Sequence, residues 1–210
     1  SHNHNDVGNF IAYHDGKPVI IDVGVETYTA KTFSKDRYSI WTMQSAFHNL
    51  PTINGVLQKD GGEYRASNVQ YRADEKTARF RLDLSHAYSS QAKVKTWVRT
   101  IELNRGKDVV ISDRYELHEI VTPFTLSLMT AYVPDVTRDG SILLHRVDDE
   151  GGGRPISVTF DKNKFSVDVE PIAIEDPRLL SSWGKKIFRI LLTSKVRVPK
   201  GEYSITFSEG

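Results

Sequence analysis

Val94-Lys95-Thr96-Trp97-Val98-Arg99-Thr100-Ile101-Glu102-Leu103, then Asn104-Arg105-Gly106-Lys107-Asp108, then Val109-Val110-Ile111-Ser112-Asp113-Arg114-Tyr115-Glu116-Leu117, is the stretch that decides the fold class. Bulky apolar residues alternate with polar ones on both sides of a short Gly-containing link. A period of two places alternate side chains on opposite faces of an extended chain, so the two runs read as strands of an antiparallel hairpin. The same pattern continues outward. Upstream, Glu63–Arg72 and Ala78–Leu84 flank Ala73-Asp74-Glu75-Lys76. Downstream come Phe124–Val133, Ser141–Val147, Ile156–Phe160, Phe165–Val169, Lys186–Thr193 and Glu202–Phe207. Near the start, Val7–His14 and Val19–Val23 flank the turn Asp15-Gly16-Lys17-Pro18. Helical periodicity is nearly absent. Short strands separated by turn residues predict an all-β chain folded as an antiparallel sandwich or barrel. No repeat or composition break divides residues 1–210, which read as one domain. Glu150-Gly151-Gly152-Gly153 reads as a flexible surface turn.

One segment departs from the pattern. Gly24 to Gly55 is long, polar and aromatic, with little alternation. Loops of that length in compact domains are functional or disordered. Tyr28, Phe33, Tyr38, Trp41 and Phe47 argue against disorder, so at most short helices are expected there.

With 210 residues the chain is long enough for a substantial core. A net charge of +1 argues against a general nucleic-acid binder. The chain has no cysteine, so disulfides and thiolate metal sites are excluded and any metal must be held by His and carboxylates. No apolar run approaches the roughly 18 residues of a membrane span. The chain opens on its densest polar motif, with no initiator Met and no signal peptide. That reads as an excised domain or processed product, although a tag scar would also place histidines at the start.

That opening motif is Ser1-His2-Asn3-His4-Asn5-Asp6. Residues two apart on an extended chain share a face, so His2 and His4 project together. Asp22 stands in Ile20-Ile21-Asp22-Val23-Gly24, where an unpaired carboxylate would be costly to bury and a cation is the natural partner. The first hairpin can fold Asp22 back beside His4, and His48 of Phe47-His48-Asn49 would arrive from the long segment. Three His or Asp ligands with a position left open make the usual catalytic zinc arrangement. Hydrogen-bonded histidines without a metal are the alternative. Of the others, His14, His118 and His145 read as surface residues, while His86, after a strand end, is placed to face a site.

These segments together resemble the C-terminal domain of the heparinase II/III-like polysaccharide lyases, a family that includes oligoalginate lyases. The resemblance rests on Ser1 to Phe10, on Ile21-Asp22-Val23-Gly24 with Tyr28, and on Phe47-His48-Asn49 followed by Ile53-Asn54-Gly55 and Gln58. The late stretch Leu179-Leu180-Ser181-Ser182-Trp183-Gly184 with Phe188-Arg189-Ile190 is similar in a less specific way. The family pattern often has small residues where Asn3 and Asn5 stand. The resemblance implies a large antiparallel β-sandwich that follows an N-terminal helical toroid, absent here. It implies a zinc ion held by His4, Asp22 and His48, with His2 facing the cleft as a catalytic residue. It further implies an acidic polysaccharide or oligosaccharide substrate and a periplasmic or secreted location.

Such lyases cleave uronic-acid chains by β-elimination. The C5 proton is removed and the C4 oxygen leaves, which needs carboxylate neutralisation, a base and an acid. His2 is the expected base or carboxylate contact. Arg37 is suited to hold the carboxylate and Tyr38 to shuttle a proton; the bland reading makes Arg37 a surface ion pair and Tyr38 a packing residue. Trp41 would stack on a sugar or belong to the core. The toroid would carry the remaining catalytic groups, so the isolated chain is expected to be inactive. The competing expectation is a non-catalytic carbohydrate-binding or structural sandwich, which would have no need of the His/Asp set.

Overall fold

The computed structural model describes residues 3–147 and 154–210. His2 and the turn Glu150-Gly151-Gly152-Gly153 lie outside the described residues. The strands are β1 (Ala12–His14), β2 (Lys17–Ile20), β3 (Pro51–Thr52), β4 (Ser67–Ala73), β5 (Thr77–Asp83), β6 (Val94–Asn104) and β7 (Asp108–Leu117). They continue with β8 (Thr125–Thr130), β9 (Val133–Arg138), β10 (Ser141–His145), β11 (Ile156–Thr159) and β12 (Phe165–Ala173). The helix α1 (Pro177–Trp183) precedes β13 (Lys186–Ser194) and β14 (Lys200–Glu209).

These strands form an eight-stranded antiparallel sheet in the order β4-β5-β6-β7-β14-β11-β10-β9. A four-stranded sheet, β12-β13-β8-β3, packs over it, and β1-β2 stands as a separate hairpin. The result is the expected sandwich. The hairpin that decides the fold class is the centre of the large sheet: Trp97, Ile111 and Tyr115 are buried from β6 and β7, and Tyr203, Ile205 and Phe207 from β14. Opposite them lie Leu126 and Leu128 of β8, Phe165 of β12, and Ile190 and Leu192 of β13. Phe124, Tyr115 and Tyr203 stack or meet edge to face with Trp97.

A buried ion pair runs through this layer. Arg99 meets Asp113 through two hydrogen bonds of 2.9 and 2.8 Å. Trp97 Nε1 and the Tyr203 hydroxyl also donate to Asp113, at 3.0 and 2.6 Å. The remaining Arg99 nitrogen donates to the carbonyls of Gly8 at 3.0 Å and Asn49 at 2.7 Å. Burial alone would depress the Arg99 pKa, but the Asp113 charge and its hydrogen bonds raise it above the usual value. A buried pair is favourable only when its remaining protons and lone pairs are satisfied, and this one is. It anchors the site-bearing segments to the large sheet.

The small sheet has a second apolar layer on its outer face. Ile21, Val23, Met129, Ile174, Leu179 and Ile187 are buried there, with Trp41, Phe47 and Trp183 packed against them. Trp41 therefore belongs to packing; its ring meets Phe47 edge-on and its Nε1 donates to Glu26 at 2.7 Å. The covering segment, residues 24–50, folds as four short 3₁₀ turns, Ala30–Phe33, Arg37–Ser39, Trp41–Met43 and Ser45–Phe47. Arg189 of β13 ties it down, donating to the Ala46 carbonyl at 3.2 Å and lying over the Phe47 ring at 4.5 Å.

Several element bounds differ from expectation. Val7–His14 is a strand only at Ala12–His14, because Gly8 turns the chain with φ +85. A Cβ at Gly8 would lie 2.4 Å from Leu84. Phe124–Val133 is two strands, since β8 ends at Thr130 and β9 starts at Val133 in the other sheet. The short helical turns expected within Gly24–Gly55 are there, but the one α-helix among the described residues lies outside that segment, at Pro177–Trp183. Its signals are local: Asp176 caps the Arg178 and Leu179 amides, Pro177 opens the first turn, and Gly184 at φ +75 ends it.

Candidate metal and active site

Three of the expected residues converge. One side-chain donor atom from each of His4, Asp22 and His48 lies within 4.8 Å of the others, so the group could hold a metal ion. His4 comes from the N-terminal run, Asp22 from just beyond β2, and His48 from the residue that follows the last 3₁₀ turn of the covering segment. His4 Nδ1 is 3.3 Å from His48 Nε2, and His48 Nε2 is 3.8 Å from Asp22 Oδ2.

Two of the three donors, His48 and Asp22, are oriented by partners outside the group. The His48 Nδ1–H donates to the Gln44 carbonyl at 2.9 Å. A carbonyl can only accept, so in the neutral ring the proton sits on Nδ1 and Nε2 presents its lone pair. Asp22 Oδ1 accepts from the Gly24 amide at 2.8 Å and Oδ2 from Asn9 Nδ2 at 2.9 Å. Asn9 Oδ1 in turn accepts from the Asn49 backbone amide at 2.9 Å. Asn49, fully buried, donates to the carbonyls of Phe10 at 2.7 Å and Ile21 at 2.9 Å and accepts from the Met129 amide at 2.7 Å. One asparagine thus fixes the spacing between the segments that carry Asp22 and His48.

The donor set fits a zinc ion. Two imidazole nitrogens and one carboxylate oxygen are ordinary zinc ligands, and Zn–N bonds of ~2.0–2.1 Å set tetrahedral ligand atoms about 3.3 Å apart. The separation of the two histidine nitrogens has that value. Burial lowers the His4 pKa, as does nearby His48, while the charges of Asp22 and Asp6 oppose the shift. His4 is thereby held toward its neutral, ligating form. Asp6 is half-buried beside the group, and burial raises its pKa against the opposing pull of His48 and His4.

Arg37 is also close, and its charge acts on His4. It is not the surface ion pair of the bland reading. The side chain is buried, with Nε donating to the Asn3 carbonyl at 3.0 Å and Nη1 to the Thr32 carbonyl at 2.8 Å. Its Nη2 is buried without a hydrogen-bond partner, and no carboxylate pairs with it among the described residues. Tyr38 is half-buried, and its carbonyl accepts from Gln44 Nε2 at 3.3 Å. The described contacts do not join its hydroxyl to the His/Asp group. His86 is exposed and lines a separate cavity of about 330 Å³ with His118. His14, expected at the surface, is partly exposed and lies 3.1 Å from Glu209.

The asparagines and Gln44 were not singled out in the sequence as site residues. Asn49 was legible only as the neighbour of His48. Asn54 and Gln58 turn out to be clamps: Asn54 bridges the Ala92 and Glu119 carbonyls to the Val121 amide, and the Gln58 amide pairs both ways with Val7.

The model of the heparinase II/III-like C-terminal domain matches residues 1–204. The chain belongs to that family. Among solved structures, the heparinase II/III-like domain is similar to the heparan sulfate lyase HepC from Pedobacter heparinus, with TM-score 0.71 and 12% identity over 98% of this chain. It is similar also to the heparinase III BT4657 gene product, with TM-score 0.71 and 14% identity over 99% of this chain. At that identity the likeness shows the fold. The domain spans 30% of the length of each of those lyases. No curated protein matches it. No helix among the described residues is long and apolar enough to cross a membrane.

Proposed function

We propose that this domain forms one wall of the active site of a polysaccharide lyase that cleaves uronic-acid-containing chains by β-elimination, with zinc at His4, Asp22 and His48. The convergence of those three side chains, with His48 and Asp22 each oriented by hydrogen bonds of their own, is the observation that carries the reading. A zinc ion there supplies positive charge at the cleft and pins the covering segment to the first hairpin.

The rest is work for the protein's own groups. Arg37 supports carboxylate neutralisation through its charge, because it is a buried cation with no carboxylate partner among the described residues. Neutralising the uronate makes removal of the C5 proton less costly, which is electrostatic stabilisation of the developing anion. His2 is assigned as base or carboxylate contact and Tyr38 as the proton shuttle to the leaving C4 oxygen. The opposite wall is assigned to an N-terminal helical toroid of the same parent chain, in a periplasmic or secreted enzyme.

The test is product absorbance of the unsaturated uronate, measured on the parent protein with alginate, heparan sulfate and hyaluronan separately. Activity in the parent, its loss in His48→Ala together with zinc, and its loss in His2→Ala with zinc retained are the expected results. The isolated domain is expected to give no meaningful turnover, since misplacement by about 1 Å costs on the order of a hundredfold. A parent that binds these chains without cleaving any of them would make the domain part of a binding protein instead.

A further inference from the structure

Among the described residues, the outer face of the large sheet bears no covering segment comparable to residues 24–50. Antiparallel register sets its side chains in rows. Gln70 pairs with Arg81, Arg81 with Thr100, Thr100 with Ser112, and Ser112 with Ser204. These five residues run straight across β4, β5, β6, β7 and β14, a span of about 19 Å at ~4.8 Å per strand. A concavity of about 540 Å³ lies over the row, with Arg79, Arg114 and Lys164 at its walls.

An antiparallel sheet commonly shows one polar face to water, so polarity alone means little. The charge arrangement says more. Arg79 and Arg114 are matched by Glu102 at 3.6 Å and Glu202 at 3.4 Å, both exposed pairs. Arg81 is half-buried at the floor, and neither it nor Arg72 beside Arg79 has an ion-pair partner among the described residues. The hydroxyls of Thr100, Ser112 and Ser204 continue the row, the last two sharing a hydrogen bond of 2.7 Å.

We infer that this face is a second binding site, which takes an anionic oligosaccharide laid across the strands. Arg81 meets a carboxylate or sulfate in the fork geometry that guanidinium groups favour, and the hydroxyl row pairs with sugar hydroxyls. Single-stranded nucleic acid would need exposed aromatic rings for base stacking, and the row presents none. The inference draws on this face alone and stands independently of the lyase reading.

Calorimetric titration of the protein tests it, with three probes of equal length: a sulfated heparin oligosaccharide, an unsulfated oligouronate and a neutral dextran oligomer. The expected result is binding of one or both anionic probes, weakened by salt, with dextran far weaker. A response to sulfate alone or to carboxylate alone identifies the group read by Arg81. Arg81→Ala is expected to weaken binding about tenfold, the worth of one charge-assisted hydrogen bond. Hydrogen exchange on the wild type gives a second readout, with ligand protection expected along β4 to β7. Unchanged affinity in Arg81→Ala, equal binding of dextran, no binding at all, or protection confined to the His4–His48 region would each overturn the inference. Binding lost in Arg81→Ala would keep this site even where the parent protein cleaves none of these chains, the result that removes the lyase reading. Cleavage by the parent protein with no Arg81-dependent binding on this face would do the reverse.

Discussion

The two outer faces of the sandwich have opposite fates. The face of the small sheet is apolar and roofed by residues 24–50 and α1. The face of the large sheet is polar, carries the Gln70-to-Ser204 row and has no comparable roof among the described residues. On the roofed side, packing and hydrogen bonds set the geometry of a chemical site, so a change there costs stability and function together. On the open side, side chains contribute little to folding and are free to be chosen for what they bind. Stability is therefore the property that separates the faces.

Asn49→Ala is the sharpest way to break the roofed side. It strands the buried Met129 amide and the Phe10 and Ile21 carbonyls, at ~1–3 kcal/mol for each unsatisfied group. A loss on the order of 4 kcal/mol in denaturant unfolding is expected, with weaker retention of the proposed zinc ion. A loss below about 1 kcal/mol would mean that water or neighbours replace the amide, and the roof would be looser than described. Glu170→Ala comes next. It removes the partner of Arg189, whose Nε donates to Glu170 at 2.8 Å and whose Nη1 holds the Ala46 carbonyl. The pair is partly exposed, so a loss of about 1 kcal/mol is expected, read from the unfolding midpoint.

Acid offers a milder probe of the same roof. Asp176 accepts the Thr27 amide at 2.9 Å and so links the start of the covering segment to α1. Desolvation works against its ionisation, but backbone hydrogen bonds from Thr27, Leu179 and Arg178 outweigh that and hold its pKa below the ordinary value. A depressed carboxyl contributes stability above its unfolded pKa near 3.8 and loses it as pH falls through the lower folded value. A small drop in Tm on acidification below that point, absent in Asp176→Asn, is the expected signature. Ser112→Ala, on the open face, should do least: a change within about 0.5 kcal/mol in the same unfolding assay. A larger loss there would erase the contrast between the faces.

The fold was legible in the sequence wherever one face of a strand is buried and the other wet. That is why β5 to β7 and β10 to β14 emerge from alternation alone. It failed where the backbone turns without an apolar cue. Gly8 ends the first run early, and the step from Thr130 to Val133 moves the chain between sheets inside one continuous apolar pattern. The three donors His4, Asp22 and His48 were legible as residue types at the right places. Their supports were not, because Asn9, Gln44 and Asn49 are ordinary polar residues until the chain brings them together. The environment of Arg37 was equally hidden, since its partners are backbone carbonyls.

The Asn49 hydrogen bonds reach Asn9, Ile21 and Met129, the last at 80 residues' separation. Links that distant in sequence close late, after the loops between them have lost their freedom. An ion captured at the proposed His4, Asp22 and His48 site would therefore meet a chain whose folding is nearly complete. Its influence would fall on how slowly the finished domain comes apart rather than on how quickly it assembles.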